Sequence, residues 1–361
     1  MDAAAMAARP LTRDEALVHP GSLLTPDGRL VAPYDLAHAP ASAAAACVPA
    51  SQLPGVFHAA HHAFRLDYAQ CGTVHVINGM GIALGDSVIG LTALAALRAR
   101  HPALRFVLYR PAHAPAYVDA LYQLATAAIA PCRRLPWPAD RLPAHEPRID
   151  LGNQLYWPAF AERPMIDFFL SALGVDPATI PADAKRNRWL ADLALPALPP
   201  AWRTRRYALF CPTASTPLRS IPAARHAALV GRLADAYRLP VLGFGPVDHP
   251  AYVDVQAHST DTARFIAWVA HADVLLAADT SAVHLAAGFD VPTLACFSSI
   301  APALRVRDYP HCTGVALPVP EEWRGRHAGA SEAELEELDA LYRAVDWSRI
   351  VWPRARERAG R

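Results

Sequence analysis

The hydrophobic positions change character at residue 73. From there, short unbroken apolar runs alternate with longer stretches of helical period. Residues 73–78 (TVHVIN) and 105–110 (RFVLYR) read as buried strands, and 86–100 and 115–128 as helices, with a glycine-spotted loop between the first strand and its helix. The second half repeats the texture. Strands are predicted at 207–211 (YALFC), 240–244 (PVLGF), 273–278 (DVLLAA) and 292–297 (PTLACF), and helices at 222–237, 262–271 and 281–289. Strand and helix in regular alternation predict an α/β fold with two doubly wound parallel sheets. In such sheets ligands lie outside the carboxyl ends of the strands, so a cleft between two such halves is the expected place for chemistry.

Outside these blocks the pattern weakens. Residues 1–70 are rich in Ala, Pro and His and read as an irregular extension, with short helical candidates at 13–18 and 56–63. Prolines are dense between 131 and 200, where helices are predicted at 165–173 and 185–193. The interdomain connection is placed at 195–202, stiffened by Pro196, Pro199 and Pro200. An acidic helix (EAELEELDALYRAV) and a basic tail with Trp347 and Trp352 follow residue 331. The expected division is an extension (1–70), a first α/β domain (71–195), a second (196–330), and a C-terminal helix and tail (331–361).

Composition narrows the function. The length of 361 residues and a hydrophobic content of 53% suit two buried cores. A net charge of +1, with arginines spread along the chain, argues against nucleic acid. Lys185 is the single lysine, so a side-chain grip on phosphate or carboxylate falls to the planar fork of arginine. Cys47, Cys71, Cys132, Cys211, Cys296 and Cys312 are scattered without a paired motif, as expected of reduced thiols in a cytoplasm. Neither an export signal nor a membrane span is read, which leaves peripheral membrane contact open. The His58-x-x-His61-His62 cluster has metal-ligand spacing but no neighbouring carboxylate or cysteine to complete a set, and no metal is expected.

The strongest chemical signal is residues 272–288 (ADVLLAADTSAVHLAAG). An apolar strand ends at Asp279 and a helix starts within two residues, so the N–H groups of Thr280, Ser281 and Ala282 form an anion site that needs no lysine. Asp279 is either a helix cap or part of that site. His284, three residues after Ser281, either leans towards the same ligand or is a buried structural histidine.

This stretch resembles the D-T-G-x-x-H-x-A-A segment of glycosyltransferase family 9, the ADP-heptose heptosyltransferases and their relatives. Asp279, Thr280, His284, Ala286 and Ala287 match, and Ser281 stands where that family has glycine. Gly85-Asp86-Ser87-Val88-Ile89-Gly90-Leu91-Thr92, running into A-L-R-A-R-H-P at 96–102, resembles the family's G-D-aliphatic-T-P start, with Thr92 in the proline position. Residues 211–222 (CPTASTPLRSIP) resemble a hydroxyl-rich loop leading into K-x-W-P, with Arg219, Ser220, Ile221 and Pro222 in the last four places. The resemblance covers residues 73–301, with the three segments in the family's order.

The resemblance implies the GT-B fold, two Rossmann-like domains facing a cleft, and transfer of a sugar, heptose foremost, from a nucleotide-sugar donor such as ADP-heptose. It implies no cofactor. The acceptor is a glycan, a lipid-linked molecule, a protein or another hydroxyl compound. Asp86 takes the role of general base, although it is also placed to cap its helix. Thr213, Ser215, Thr216 and Arg219 contact the diphosphate, with Asp279, Thr280, Ser281 and His284 opposite them. Asp248, after the PVLGF strand, is placed for ribose hydroxyls and Thr260 for the base. No D-x-D segment is present to hold a divalent ion, so helix dipole and arginine supply the charge compensation in an inverting displacement. Two other readings stay open: a nucleotide-sugar epimerase on the same scaffold, and a non-catalytic protein that binds nucleotide sugars. A nicotinamide enzyme fits less well, because Gly79-x-Gly81-x-x-x-Gly85 has the wrong spacing.

Overall fold

A computed structural model describes residues 9–40, 46–327 and 329–357. The chain divides between Ile180 and Pro181 into two compact units.

The first unit contains, in chain order, α1 (Arg13–Val18), β1 (Leu23–Leu24), β2 (Arg29–Val31), α2 (Pro33–Ala37), β3 (Val48–Pro49), β4 (Val56–Phe57), β5 (Thr73–Ile77), α3 (Leu84–Arg100), β6 (Arg105–Arg110), α4 (Ala116–Ala125), β7 (Cys132–Arg134), β8 (Trp137–Pro138), β9 (Arg148–Asp150), α5 (Pro158–Glu162) and α6 (Met165–Ala172). Its main sheet is parallel, in the order β4-β9-β5-β6-β7. β5 is buried at four of its five positions, because a parallel sheet covered on both faces needs a near-continuous apolar run.

The described part of residues 1–70 is not an irregular extension. β1, β2 and β3 form a small antiparallel sheet with β8, and Leu30, Ala32 and Ala50 share a core with Ile77, Tyr109, Leu135 and Leu142. Strands of two or three residues are too short to show a period, and β2 finds its second partner, β8, more than a hundred residues away in sequence. The helix expected at 56–63 is instead β4, paired with Arg148 and Ile149, followed by a turn in which His61 N and His62 N donate to His58 O.

The second unit contains β10 (Ala208–Cys211), α7 (Ala223–Tyr237), β11 (Val241–Gly243), β12 (Tyr252–Asp254), α8 (Thr262–Ala270), β13 (Val274–Ala278), α9 (Ser281–Gly288), β14 (Thr293–Phe297), β15 (Cys312–Ala316) and α10 (Glu332–Ala344). All its pairings are parallel, in the order β12-β11-β10-β13-β14-β15. Numbered within the unit this is 3-2-1-4-5-6, the nucleotide-binding doubly wound order, whose direction of winding reverses between β10 and β13. Leu338, Tyr342 and Trp347 bury against the sheet's hydrophobic core, which makes the C-terminal helix and tail part of this unit.

The boundary precedes the proline stretch at which it was expected. Residues 185–193 form two 3-10 turns, Ala182–Lys185 and Arg188–Asp192, separated by Asn187 at φ 44, a left-handed position that an α-helix cannot pass through. The segment is fastened to the second unit where Asn187 Nδ2 donates to His284 O at 2.8 Å. No helix among the described residues is long and apolar enough to cross a membrane. The six cysteines, all described, are thiols and not disulfides.

Candidate functional site

The loops after β10 and β13 meet where the second sheet reverses its winding. Hydroxyls fold the β10 loop: Ser220 Oγ accepts from Ala214 N at 2.9 Å and donates to Thr216 O at 2.9 Å. Ser298 Oγ donates to Leu218 O at 2.5 Å and ties the loop to the end of β14. These bonds turn Arg219 back over the sheet edge. Its guanidinium donates to Ser215 Oγ at 2.5 Å and Thr216 Oγ1 at 3.2 Å, and Nη1 lies 3.3 Å from Asp279 Oδ2.

Asp279 is only 3% exposed and does not cap α9. The N-cap is Thr280, in extended conformation, with no side-chain cap bond. The first-turn amides of α9 are thus not covered by a capping side chain and keep the positive end of the helix dipole open. Asp279 instead faces Arg219, whose guanidinium matches the charge of the buried carboxylate.

Arg305, 6% exposed, adds a second cation. The buried imidazole of His284 is pushed down to about 4 by desolvation, with Arg305 and Arg219 reinforcing and Asp279 opposing. The same desolvation and the same two arginines bring half-buried His327 down to about 4. Both imidazoles are uncharged near neutrality, so the arginines carry the positive side-chain charge felt at His284 and His327. Arginines beside a helix start of this kind suit an anion.

Of the residues expected here, Ser215, Thr216, Arg219, Asp279, Thr280, Ser281 and His284 come together. Thr213 lies exposed in the same loop. Thr260 sits at the start of α8, on the same carboxyl edge of the sheet, beside a cavity of about 340 Å³ lined by Leu198, Arg203, Arg264 and Trp268. Asp248 is elsewhere. The chain has by then turned back, so that Ala251 O accepts from Val241 N at the amino end of β11, and His249 lies against Gly231 midway along α7. Asp254, at the carboxyl end of β12, accepts from Gly245 N at 3.1 Å and Gln256 N at 2.8 Å and occupies the edge expected for Asp248. Arg305 and His327 escape sequence reasoning because they follow β14 and β15 in segments with no motif; only the fold brings them to Arg219.

The first unit has its own reversal, between β5 and β9, and Asp86 stands there. It is the third residue of α3, whose N-cap is Ala83, so it too is no cap. Gln154 Nε2, from the turn after β9, donates to Asp86 Oδ2 at 3.2 Å, and Gln154 is 3% exposed. The loop that leads to Asp86 takes left-handed conformations at Asn78, Met80 and Gly81. Arg110, 1% exposed and stacked 3.6 Å from the Tyr122 ring, donates through Nη1 to Gly79 O and Gly81 O, both at 3.1 Å. Gly81, at φ 69, favours glycine, and a Cβ there would lie 2.1 Å from Gln154 Nε2, so a larger residue would displace the amide that contacts Asp86. Asn153 fixes the turn from the other side, its Nδ2 donating to Leu17 O at 3.1 Å and His19 O at 2.7 Å.

In the histidine cluster, the ring of His58 is engaged by its neighbours. His58 is buried, donates through Nε2 to Pro20 O at 3.1 Å and packs on Trp157, and no group of three or more His, Cys, Asp or Glu among the described residues is placed to hold a metal ion.

No protein-family model and no curated protein matches this chain in sequence. Similar solved structures include the E. coli ADP-heptose lipopolysaccharide heptosyltransferase II, at 16% identity and a TM-score of 0.42, over 74% of this chain and 98% of that one. A family 9 glycosyl transferase from Veillonella parvula is 15% identical with a TM-score of 0.44, over 78% and 99% of the two chains. The iron-containing dodecameric glycosyltransferase TibC of enterotoxigenic E. coli is 13% identical with a TM-score of 0.43, over 69% and 63%.

Proposed function

We propose that this chain is an inverting, metal-independent glycosyltransferase of the GT-B kind, moving a sugar from a nucleoside-diphosphate donor to a hydroxyl acceptor. The carrying observation is that Arg219, paired with Asp279, meets the start of α9, which no side chain of its N-cap covers, at the winding reversal of a 3-2-1-4-5-6 sheet, with Arg305 near enough to lower the pKa of His284. That is where such sheets take a dinucleotide or a nucleotide phosphate. Sequence resemblance to family 9 favours ADP-heptose as donor, and a glycan, lipid-linked or protein acceptor, with contact at a membrane surface left to the acceptor.

In this reading Asp86 accepts the proton of the acceptor hydroxyl as its oxygen attacks the anomeric carbon. The bond from that carbon to the diphosphate oxygen breaks, with inversion, and the nucleoside diphosphate leaves as an anion. Arg219, Arg305 and the amides from Ser281 onward stabilise it as charge develops, the service a divalent ion performs in other transferases. Gln154 donates to one oxygen of Asp86 and so orients the carboxylate.

The test is a thermal-shift panel of ADP-, UDP-, GDP- and dTDP-sugars in EDTA, followed by transfer from the stabilising donor in labelled form. A ligand at about 100 times its Kd stabilises by roughly 2.7 kcal/mol. An ADP-sugar is expected to give the largest shift, and an inverted glycoside to form without added metal. No stabilisation by any of the four, or turnover only with a divalent ion, contradicts the proposal.

A further inference from the structure

Behind the start of α9, two buried side chains decide what His284 can offer a ligand. Asn187 Nδ2 donates to His284 O at 2.8 Å and to Tyr309 Oη at 2.9 Å. A carbonyl oxygen only accepts, so the amide nitrogen, and not the amide oxygen, has to face this pair. That fixes the orientation of the Asn187 amide.

Tyr309 Oη also lies 3.1 Å from His284 Nδ1. A phenol carries one hydrogen. Asn187 occupies a lone pair of that oxygen and cannot take the hydrogen, and a buried hydroxyl hydrogen is expected to find an acceptor. The acceptor within reach is Nδ1. The imidazole therefore carries its own hydrogen on Nε2.

The surroundings hold the ring in that state. The charged groups facing it are Asp279 from the end of β13, Arg219 from the β10 loop and Arg305 from the segment after β14, with the arginines and burial prevailing over the carboxylate. His327 shares both arginines and is itself uncharged near neutrality. The segment bearing Asn187 cannot drift from α9: Gly288 packs so closely that a Cβ there would lie 2.6 Å from Asn187 O.

We propose that Asn187 and Tyr309 are positioning residues that lock His284 as an uncharged Nε2–H donor to an oxygen of the diphosphate. The inference rests on the donor-site reading above. It makes His284 neither acid nor base in the transfer, since one ring nitrogen is occupied and the other already holds its proton. A neutral donor stabilises the leaving group without demanding a protonation event, so affinity for diphosphate carries no His284 titration.

The experiment is nitrogen-15 NMR of the full chain labelled in histidine, with inorganic pyrophosphate as probe. His284 is assigned by comparison with His284→Gln and by its response to Tyr309→Phe. The expected result is an unprotonated Nδ1 and a protonated Nε2 at every pH from about 5.5 to about 8.5, with pyrophosphate shifting Nε2. Tyr309→Phe should mix the two tautomers and weaken pyrophosphate binding by about tenfold, the scale of one hydrogen bond. A protonated Nδ1, or a ring that titrates between about pH 6 and 7, overturns the inference, and needs only the wild-type chain. An intact tautomer that pyrophosphate does not perturb leaves the positioning roles standing and contradicts the diphosphate reading instead.

Discussion

The two winding reversals of this molecule present the same backbone device with opposite electrostatics. In each, a strand ends, a loop turns, and a helix begins with an aspartate close by. At Asp279 that carboxylate is buried, directed at a guanidinium and followed by a helix start without a side-chain cap bond, and a second arginine acts on two nearby imidazoles that are uncharged near neutrality. At Asp86 the carboxylate takes an uncharged amide N–H from Gln154, within the first turn of its own helix. In the proposed reading, the aspartate aimed at arginine holds a cation for an incoming anion. A bond from an uncharged amide stabilises a carboxylate's charge less than a guanidinium does, which suits the other aspartate to the role of base. The difference teaches that an aspartate near a strand end has no fixed meaning until its partner is known.

The largest expected break in this comparison is at Asp86. Asp86→Asn keeps the shape and the Gln154 contact partner but removes the base, and turnover should fall by about 10²–10⁴ while donor affinity in a binding titration is unchanged. Near-normal transfer by this variant would remove Asp86 from its role. Next comes the opposite site. Arg219→Ala should weaken donor binding by about a hundredfold, the scale of losing charge-assisted hydrogen bonds, and lower the melting temperature because buried Asp279 loses its cation. Arg219→Lys should recover most of the stability and little of the affinity, since an ammonium lacks the fork that spans Ser215, Thr216 and Asp279.

A smaller effect is expected at Gln154. Gln154→Ala should reduce kcat by roughly tenfold with the donor KM unchanged, which is the mark of a contact that acts through Asp86 rather than on the donor. A rise in donor KM without loss of kcat would place Gln154 in the other site. The smallest concerns Thr280. Losing an N-cap hydroxyl ordinarily costs about 1 kcal/mol, yet Thr280→Ala should change chemical-denaturation stability by less than about 0.5 kcal/mol, because its side chain makes no cap bond. A full capping penalty would show that those amides are covered by protein.

The sequence made the long elements legible. Apolar runs such as VLLAA in β13 and TLACF in β14 are buried throughout, and α7, α8 and α9 begin and end within a residue or two of their helical periods. It hid the short ones. β9 reads Arg-Ile-Asp, polar at both ends, yet all three residues are buried because β4 and β5 flank it. The small antiparallel sheet at the N-terminus was hidden because its strands are two or three residues long and one of them, β2, completes its pairing with distant β8.

The site divides along the same line. Residues consecutive in sequence, from Asp279 to His284, or spaced along one loop, from Ser215 to Arg219, could be read as a unit. Gln154 lies 68 positions from Asp86 and Tyr309 25 from His284, and neither carries a local signature. Asp248 shows the converse, an aspartate after the expected strand that the returning chain carries to the other edge of the sheet.

The central claim is that a nucleoside diphosphate is held by the start of α9 together with Arg219. A crystal structure of the chain with ADP tests it directly. The account predicts phosphate oxygens within hydrogen-bonding distance of the Ser281 and Ala282 amides and of the Arg219 guanidinium. ADP bound with its phosphates turned away from that helix start, at the cavity beside Thr260 or elsewhere, would contradict it.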